Sequence, residues 1–151
     1  MNDDEAIVAA LTEIGIIQQL VDTEMRLALA PALSVSEFGV LSHFIRRPDP
    51  VEPGRLARAF QQAKSSMTAT LAKLERKGLV KIDPDPEDGR KKLASLTDEG
   101  RKAWMEGVAS TTPLREKLKA GFGADQLRTI LPALSSLRAW LDEARNERDG
   151  F

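Results

Sequence analysis

A chain of 151 residues that is 42% hydrophobic and 30% charged is long enough to bury a core of its own and too apolar to stay disordered. It contains no cysteine, which excludes disulfides, thiolate metal sites and thiol redox chemistry, and its single histidine cannot form a metal site alone. The formal net charge of -1 conceals an uneven distribution: residues 1–53 carry 3 basic and 9 acidic side chains, residues 54–101 carry 11 and 7, and residues 102–151 carry 8 and 7. Positive charge therefore collects in the middle of the chain, as a selective polyanion binder needs if it is not to adhere to every polyanion. Neither a signal peptide nor an apolar run long enough to span a bilayer is expected, which points to the cytoplasm and to no membrane partner.

In chain order, residues 4 to about 30 read as a helix. Ile7, Leu11, Ile14, Ile17, Val21, Met25 and Ala28 keep helical spacing, while Ile16, Leu20 and Leu27 widen the apolar face until it needs cover on more than one side. Pro31 ends that helix. Ser34 and Glu37 are spaced as a capping box for a second helix through Phe38, Leu41 and Ile45, which breaks at the Arg46 to Pro50 stretch. Pro53 opens a short helix with Leu56 and Phe60 one turn apart, and Gln61 and Gln62 form the turn into Lys64. Short helix, tight turn and second helix is helix-turn-helix order.

Residues 64–97 are the most informative stretch. Met67, Leu71 and Leu74 form one apolar stripe, and Ser65, Ser66, Thr68, Ala69, Ala72, Lys73 and Arg76 lie away from it. That second face, with Lys64 at its start, is small enough for close backbone approach and basic enough to favour a phosphate-rich surface. Ala63 is a poor N-cap, which leaves the first amides to Gln62 or to a backbone neighbour. Gly78 stops the helix as a residue tolerant of the left-handed conformation. A two-stranded ribbon follows, with strands expected at 79–82 and 93–96 around a loop of Asp, Pro and Gly. Arg90, Lys91 and Lys92 cluster at or just after its tip, where long cations suit a narrow groove of negative potential.

Beyond the ribbon, Thr97 caps a helix with Asp98 and Glu99 in its first turn that runs through Trp104 and Val108 to a kink or restart at Pro113. A last helix follows residues 121–124, with Ile130, Leu134, Leu137, Leu141 and Ala144 spaced as a coiled-coil-like seam and Pro132 predicting a bend or a late start. Both terminal helices carry more apolar surface than a small DNA-binding centre can cover, which predicts a homodimer. In a two-fold dimer, two identical reading helices roughly 34 Å apart match a palindrome.

The order of these elements, with LSVSEFGVLSHF, PGRLARAF, the run from Met67 to Val80 and DGRKKLASLTDEGR, resembles the MarR family of winged helix-turn-helix transcriptional regulators. The similarity is densest over residues 33–104. Its most specific pieces are LERKGLV at 74–80 and Asp88-x-Arg90 followed by Leu96 and Thr97. The resemblance implies a mainly α fold with a small β-hairpin wing, a winged helix-turn-helix lobe over 33–101, and dimerisation helices at 1–32 and 102–151. It implies double-stranded DNA as partner, with the face of Lys64, Ser65, Ser66, Thr68, Ala69 and Lys73 in the major groove. Arg90, oriented by Asp88 and flanked by Lys91 and Lys92, would enter the minor groove. It further implies a dimeric repressor on a palindromic operator, released by a small aromatic or anionic effector. Ala69 stands where many members carry Arg, so bidentate guanine reading from that position is unavailable, and specificity leans on DNA shape and the wing.

Other readings compete with these. A hydrolase or transferase would need a nucleophile with a base, a metal cluster or a Gly-rich phosphate loop, and no such constellation is present, so no enzyme, metal or cofactor is expected. A winged helix that binds another protein in place of DNA is the rival of a different class, and salt-dependent duplex binding separates the two. His43 reads more simply as a packed or surface residue than as a titrating one. Trp104 and Trp140 read as packing residues before they read as effector-stacking ones.

Overall fold

The computed structural model describes all 151 residues. They form α1 (Asp3–Leu29), α2 (Val35–Arg46), α3 (Pro53–Ala59), α4 (Lys64–Arg76), β1 (Val80–Pro84), β2 (Lys92–Leu96), α5 (Asp98–Ser110), α6 (Thr112–Gly121) and α7 (Ala124–Asp149). Two compact units result, Met1–Thr111 and Thr112–Phe151.

In the first unit α2, α3, α4 and the hairpin enclose one core. Val40, Leu41 and Phe44 of α2, Leu56 of α3, the Met67, Leu71 and Leu74 stripe of α4, Val80 of β1 and Ala94 of β2 are all at most 2% exposed. Each large side chain so buried contributes on the order of 1.5–3 kcal/mol of transfer free energy. The stripe read from sequence thus faces inward and fixes which side of α4 is left to solvent.

Helix ends explain the element bounds. At α4, Gly78 has φ 74°, its N–H donates to Glu75 O at 2.9 Å, and the Leu79 N–H donates to Leu74 O at 2.9 Å. Those two bonds are a Schellman stop. Thr97 Oγ1 accepts the Gly100 amide at 3.0 Å and donates to Gly78 O at 2.7 Å, so the cap of α5 also holds the end of α4. Gly100 is required by close approach, since a Cβ there would lie 2.0 Å from Leu79 O.

The hairpin is antiparallel, with Val80 opposite Leu96, Ile82 opposite Ala94 and Pro84 opposite Lys92. Val51, before α3, adds a third short edge by exchanging two backbone hydrogen bonds with Ala94 at 3.0 and 2.9 Å.

Several expectations need correction. Ser34 Oγ accepts the Glu37 amide at 3.0 Å, but the Glu37 carboxylate turns to Lys77, so only half of that capping box forms. The complete box is at Asn2 and Glu5, at the start of α1. The strands run 80–84 and 92–96, because Leu79 is occupied in the stop of α4. In the second unit, α6 restarts with Pro113 in its first turn, where a missing N–H costs nothing. There is no late start to the last helix, since α7 begins at Ala124 and continues through Pro132. Finally, α1 is long and apolar enough to cross a membrane by length and composition, contrary to the expectation of no such run. Glu13 and Asp22 interrupt it as a sequence run, but two charges do not lower the mean hydropathy of an 18-residue stretch of α1 enough to disqualify it.

Both units leave apolar surface in water. On α1, Ile7, Leu11, Ile17 and Leu20 are more than half exposed; on α7, Leu131 and Trp140 are at least 60% exposed and Ile130 and Leu134 are each 43% exposed.

Candidate nucleic-acid interface

The exposed surface of α4 carries Lys64 at its start and Ser65, Ser66, Thr68, Ala69 and Lys73 turned away from the buried stripe. Ala63 makes no side-chain cap, so the first-turn amides of α4 remain open to solvent on that end. Small side chains let the helix axis come close to a second surface, and Lys64, Lys73 and Arg76 give that surface positive potential.

At the hairpin tip the chain makes a compact turn, with Asp85 N–H donating to Lys91 O and Lys91 N–H to Asp88 O, both at 2.9 Å. Asp88 Oδ1 accepts from Arg90 Nε and from the Arg90 amide at 3.1 Å, and Oδ2 accepts from Arg90 Nη2 at 3.4 Å. The hydrogen bond from the Arg90 side chain, then that from its amide, holds the Asp88 carboxyl below the usual carboxylate range. Arg90 itself is 92% exposed. A solvent-facing guanidinium is therefore aimed by its neighbour.

The three tip cations do not act alike. Lys91 Nζ turns to Glu52 at 3.4 Å, which ties the tip to the start of α3. Lys92 sits within β2 opposite Pro84. Consecutive residues entering a strand point to opposite sides, which is why a sequence cluster separates in space. On β1, Lys81 pairs with Asp83 at 3.0 Å.

Two ties reach α4 that the sequence reading did not find. Lys77, the C-cap residue of α4, donates from Nζ to Glu37 at 2.5 Å and to Ala32 O at 2.9 Å, fixing α4 to the start of α2 and to the turn before it. Glu75 accepts the Ile82 amide at 3.1 Å, joining α4 to β1.

Of the remaining candidates, His43 and Trp104 are packed and Trp140 is not. His43 contacts the rings of Phe44 and Phe60 at 5.8 and 6.0 Å. Burial, then the charges of Arg46 and Arg47, lower its pKa from the ordinary 6.5. Trp104 Nε1 donates to Ser42 Oγ at 3.0 Å while its ring packs on the core, joining α5 to α2. Trp140 is 65% exposed on α7. No three His, Asp or Glu side chains converge as a metal-ligand group. A half-open cavity of about 280 Å³ lies within the first unit among the end of α1, the α1–α2 turn, Leu79 and α5. Its walls are mostly apolar, and Glu106 is the charged side chain among them.

With this geometry in view, known proteins resemble the chain as follows. The MarR family model matches residues 33–91, the span from the α1–α2 turn to the hairpin tip. The transcriptional activatory protein BadR of Rhodopseudomonas palustris is 26% identical over 130 residues, covering 85% of this chain and 73% of BadR. The transcriptional regulator HosA of Escherichia coli is 28% identical over 92 residues, 61% of this chain and 64% of HosA. Among solved structures, the transcriptional regulator BldR from Sulfolobus solfataricus has a TM-score of 0.78 at 23% identity, covering 92% of this chain and 99% of BldR. A mutant MarR from Escherichia coli complexed with operator DNA has a TM-score of 0.72 at 22% identity, covering 91% and 99%. At these identities the structural matches establish the winged-helix fold.

Proposed function

Since residues 33–91 match the MarR family model, we propose that the chain is a MarR-family transcriptional regulator that binds double-stranded DNA as a homodimer. Each α4 enters the major groove with Lys64, Ser65, Ser66, Thr68, Ala69 and Lys73. Each hairpin places Arg90 in the adjacent minor groove, oriented by Asp88. The observation that carries this reading is the pairing of an exposed, small, basic face on α4 with an exposed guanidinium held in place by three hydrogen bonds from Arg90 to Asp88. A solvated surface turn has no need of that order, whereas a cation entering a narrow groove gains from it.

The groove roles within the cluster are unequal. Lys91 is engaged with Glu52 and sets the hairpin on the lobe, leaving Arg90 and Lys92 to meet phosphates and base edges. Dimerisation follows from the apolar faces of α1 and α7, which a second subunit covers. That occupant, and not a bilayer, accounts for the apolar composition of α1, and the protein works in the cytoplasm.

Occupancy of a palindromic operator by the dimer is read as repression. Because BadR is named an activatory protein, a promoter–reporter assay with and without the chain is the measurement that fixes the sign. Selection of duplexes from a random pool by the purified protein tests the DNA reading itself. Two inverted half-sites about one helical turn apart are expected. Recovery of no enriched duplex at low salt would contradict it.

Release by an effector is read into the cavity beside α5. Its walls include Ala32, whose carbonyl holds Lys77, and Leu79 at the root of the hairpin, so an occupant that moves the α1–α2 turn also moves the reading head. Glu106 would repel an anion, so the cavity favours a small neutral or cationic aromatic molecule over the anionic one that the family resemblance implies. A thermal-shift comparison of benzylamine with benzoate separates these, with stabilisation by benzylamine expected.

A further inference from the structure

The two edges of the hairpin are anchored by different means. Ile82 and Ala94 face each other as a pair that exchanges no ladder bonds, because the Ala94 N–H and C=O point outward to Val51. The Ile82 N–H therefore points outward too, from the opposite edge. There it donates to the Glu75 carboxylate at 3.1 Å. One edge is thus tied by backbone to the segment before α3, and the other by a single side chain to the last turn of α4.

We propose that Glu75 is a positioning residue for DNA binding, setting the angle between the recognition helix and the hairpin so that Arg90 and the face of α4 reach adjacent grooves together. This rests on the DNA reading above. The chain passes from α4 to β1 through Gly78, whose left-handed φ of 74° makes the turn and whose carbonyl is held by Thr97 Oγ1, so the root is fixed there and the strand direction beyond it is set at Ile82. Strand residues rise about 3.3 Å each, so the tip lies on the order of 10 Å beyond Ile82, and a rotation of about 10° at the root displaces Arg90 by roughly 2 Å. Constellations that must meet a ligand at two points tolerate well under that displacement. Glu75 lies seven residues after Thr68, on the same flank of α4 but in its last turn, where its carboxylate reaches the β1 backbone.

The sign of the effect separates positioning from simple electrostatics. Removing a negative charge beside DNA ordinarily strengthens binding. Glu75→Ala is expected to weaken binding by about tenfold despite that gain, a size within the range of single-contact losses at such interfaces. Glu75→Gln keeps an acceptor oxygen for the Ile82 amide and is expected to bind as well as the unmodified protein or better.

The experiment is a double-mutant cycle with Arg90→Ala, read by fluorescence anisotropy on a labelled duplex selected from a random pool, with thermal melts to confirm folding. Amide exchange at Ile82 in the absence of DNA provides a readout independent of binding, and faster exchange in Glu75→Ala is expected. If Glu75 acts through the wing, Glu75→Ala costs about tenfold in the parent and within about twofold of nothing in the Arg90→Ala background. Equal losses in both backgrounds, no loss in the parent, or a Glu75→Gln variant as weak as Glu75→Ala would each overturn the inference. If Arg90→Ala itself changes nothing, the failure lies with the DNA reading of the wing and the positioning role falls with it. If Arg90→Ala weakens binding while Glu75→Ala does not, the wing reading stands and Glu75 alone is refuted.

Discussion

The lobe around α4 and the long terminal helices treat apolar side chains in opposite ways. In the lobe Phe44, Leu41, Leu56, Met67 and Leu74 are completely enclosed, whereas Ile7, Leu11, Ile17 and Leu20 on α1 and Leu131 and Trp140 on α7 stand largely in water. The first region is a finished core, and the second leaves its apolar faces uncovered within one subunit. If a second copy covers those faces, as proposed, a single subunit holds its α4 lobe rigid while an interface sets the distance between the two lobes.

Several substitutions sharpen or break this contrast. The largest effect is expected in the finished core, where Phe44→Ala should cost about 3–5 kcal/mol by urea denaturation through loss of buried surface and the cavity left behind. If the terminal helices are half of an intersubunit core, Ile17→Asp should shift the protein from dimer to monomer in sedimentation equilibrium. The cause would be a charge placed without a partner in an apolar interface, and far-UV circular dichroism should retain most of the helix signal. A wild-type protein that is monomeric at micromolar concentration and still binds duplex tightly would remove the contrast altogether.

Much of the lobe was legible in the sequence because it obeys local rules. Met67, Leu71 and Leu74 recur at helical spacing and are buried, Gly78 sits where a left-handed residue must, and Thr97 caps α5. What escaped depends on distance. Val51 pairs with Ala94 as a single residue, too short to register as a strand. The Glu37 carboxylate had two destinations, the nearby Ser34 amide or a lysine 40 positions away, and spacing alone favoured the wrong one. Glu75 reads from sequence as a solvated acid on a helix flank, and only the outward direction of the Ile82 amide gives it a task. The tip cations were found as a cluster, but their separate partners follow from strand register and could not be read from adjacency.

A smaller effect is expected at the tip. Asp88→Ala removes a negative charge from the proposed DNA-facing tip and should nonetheless weaken duplex binding severalfold in anisotropy titrations, since Arg90 loses its orientation. Tighter binding by this variant would mark Asp88 as an ordinary solvated residue. The pairing also has a pH sense: with the Asp88 pKa depressed in the fold, its contribution is present at neutral pH and lost only as pH falls below the usual carboxylate range toward the folded value.

The smallest expected effect is at His43. Its folded pKa lies below 6.5 through burial and the charges of Arg46 and Arg47, so the unfolded chain takes up the proton first as pH falls. Its contribution to stability is complete above about pH 6.5 and declines as pH falls below that toward the folded value. Denaturation midpoints of the parent should fall more steeply between about pH 7 and 5 than those of His43→Gln, and equal slopes would show that His43 contributes nothing.

The central claim is that the outer face of α4 enters a groove of duplex DNA, and Thr68→Glu tests it most directly. Thr68 is exposed on the side away from the buried stripe, so the substitution leaves the core untouched while setting a negative charge against the phosphates. Anisotropy on a duplex selected by the wild-type protein should show salt-dependent binding for the parent and none for Thr68→Glu, with identical circular dichroism and sedimentation. Equal affinity of the two proteins for that duplex would mean that this face of α4 does not meet DNA.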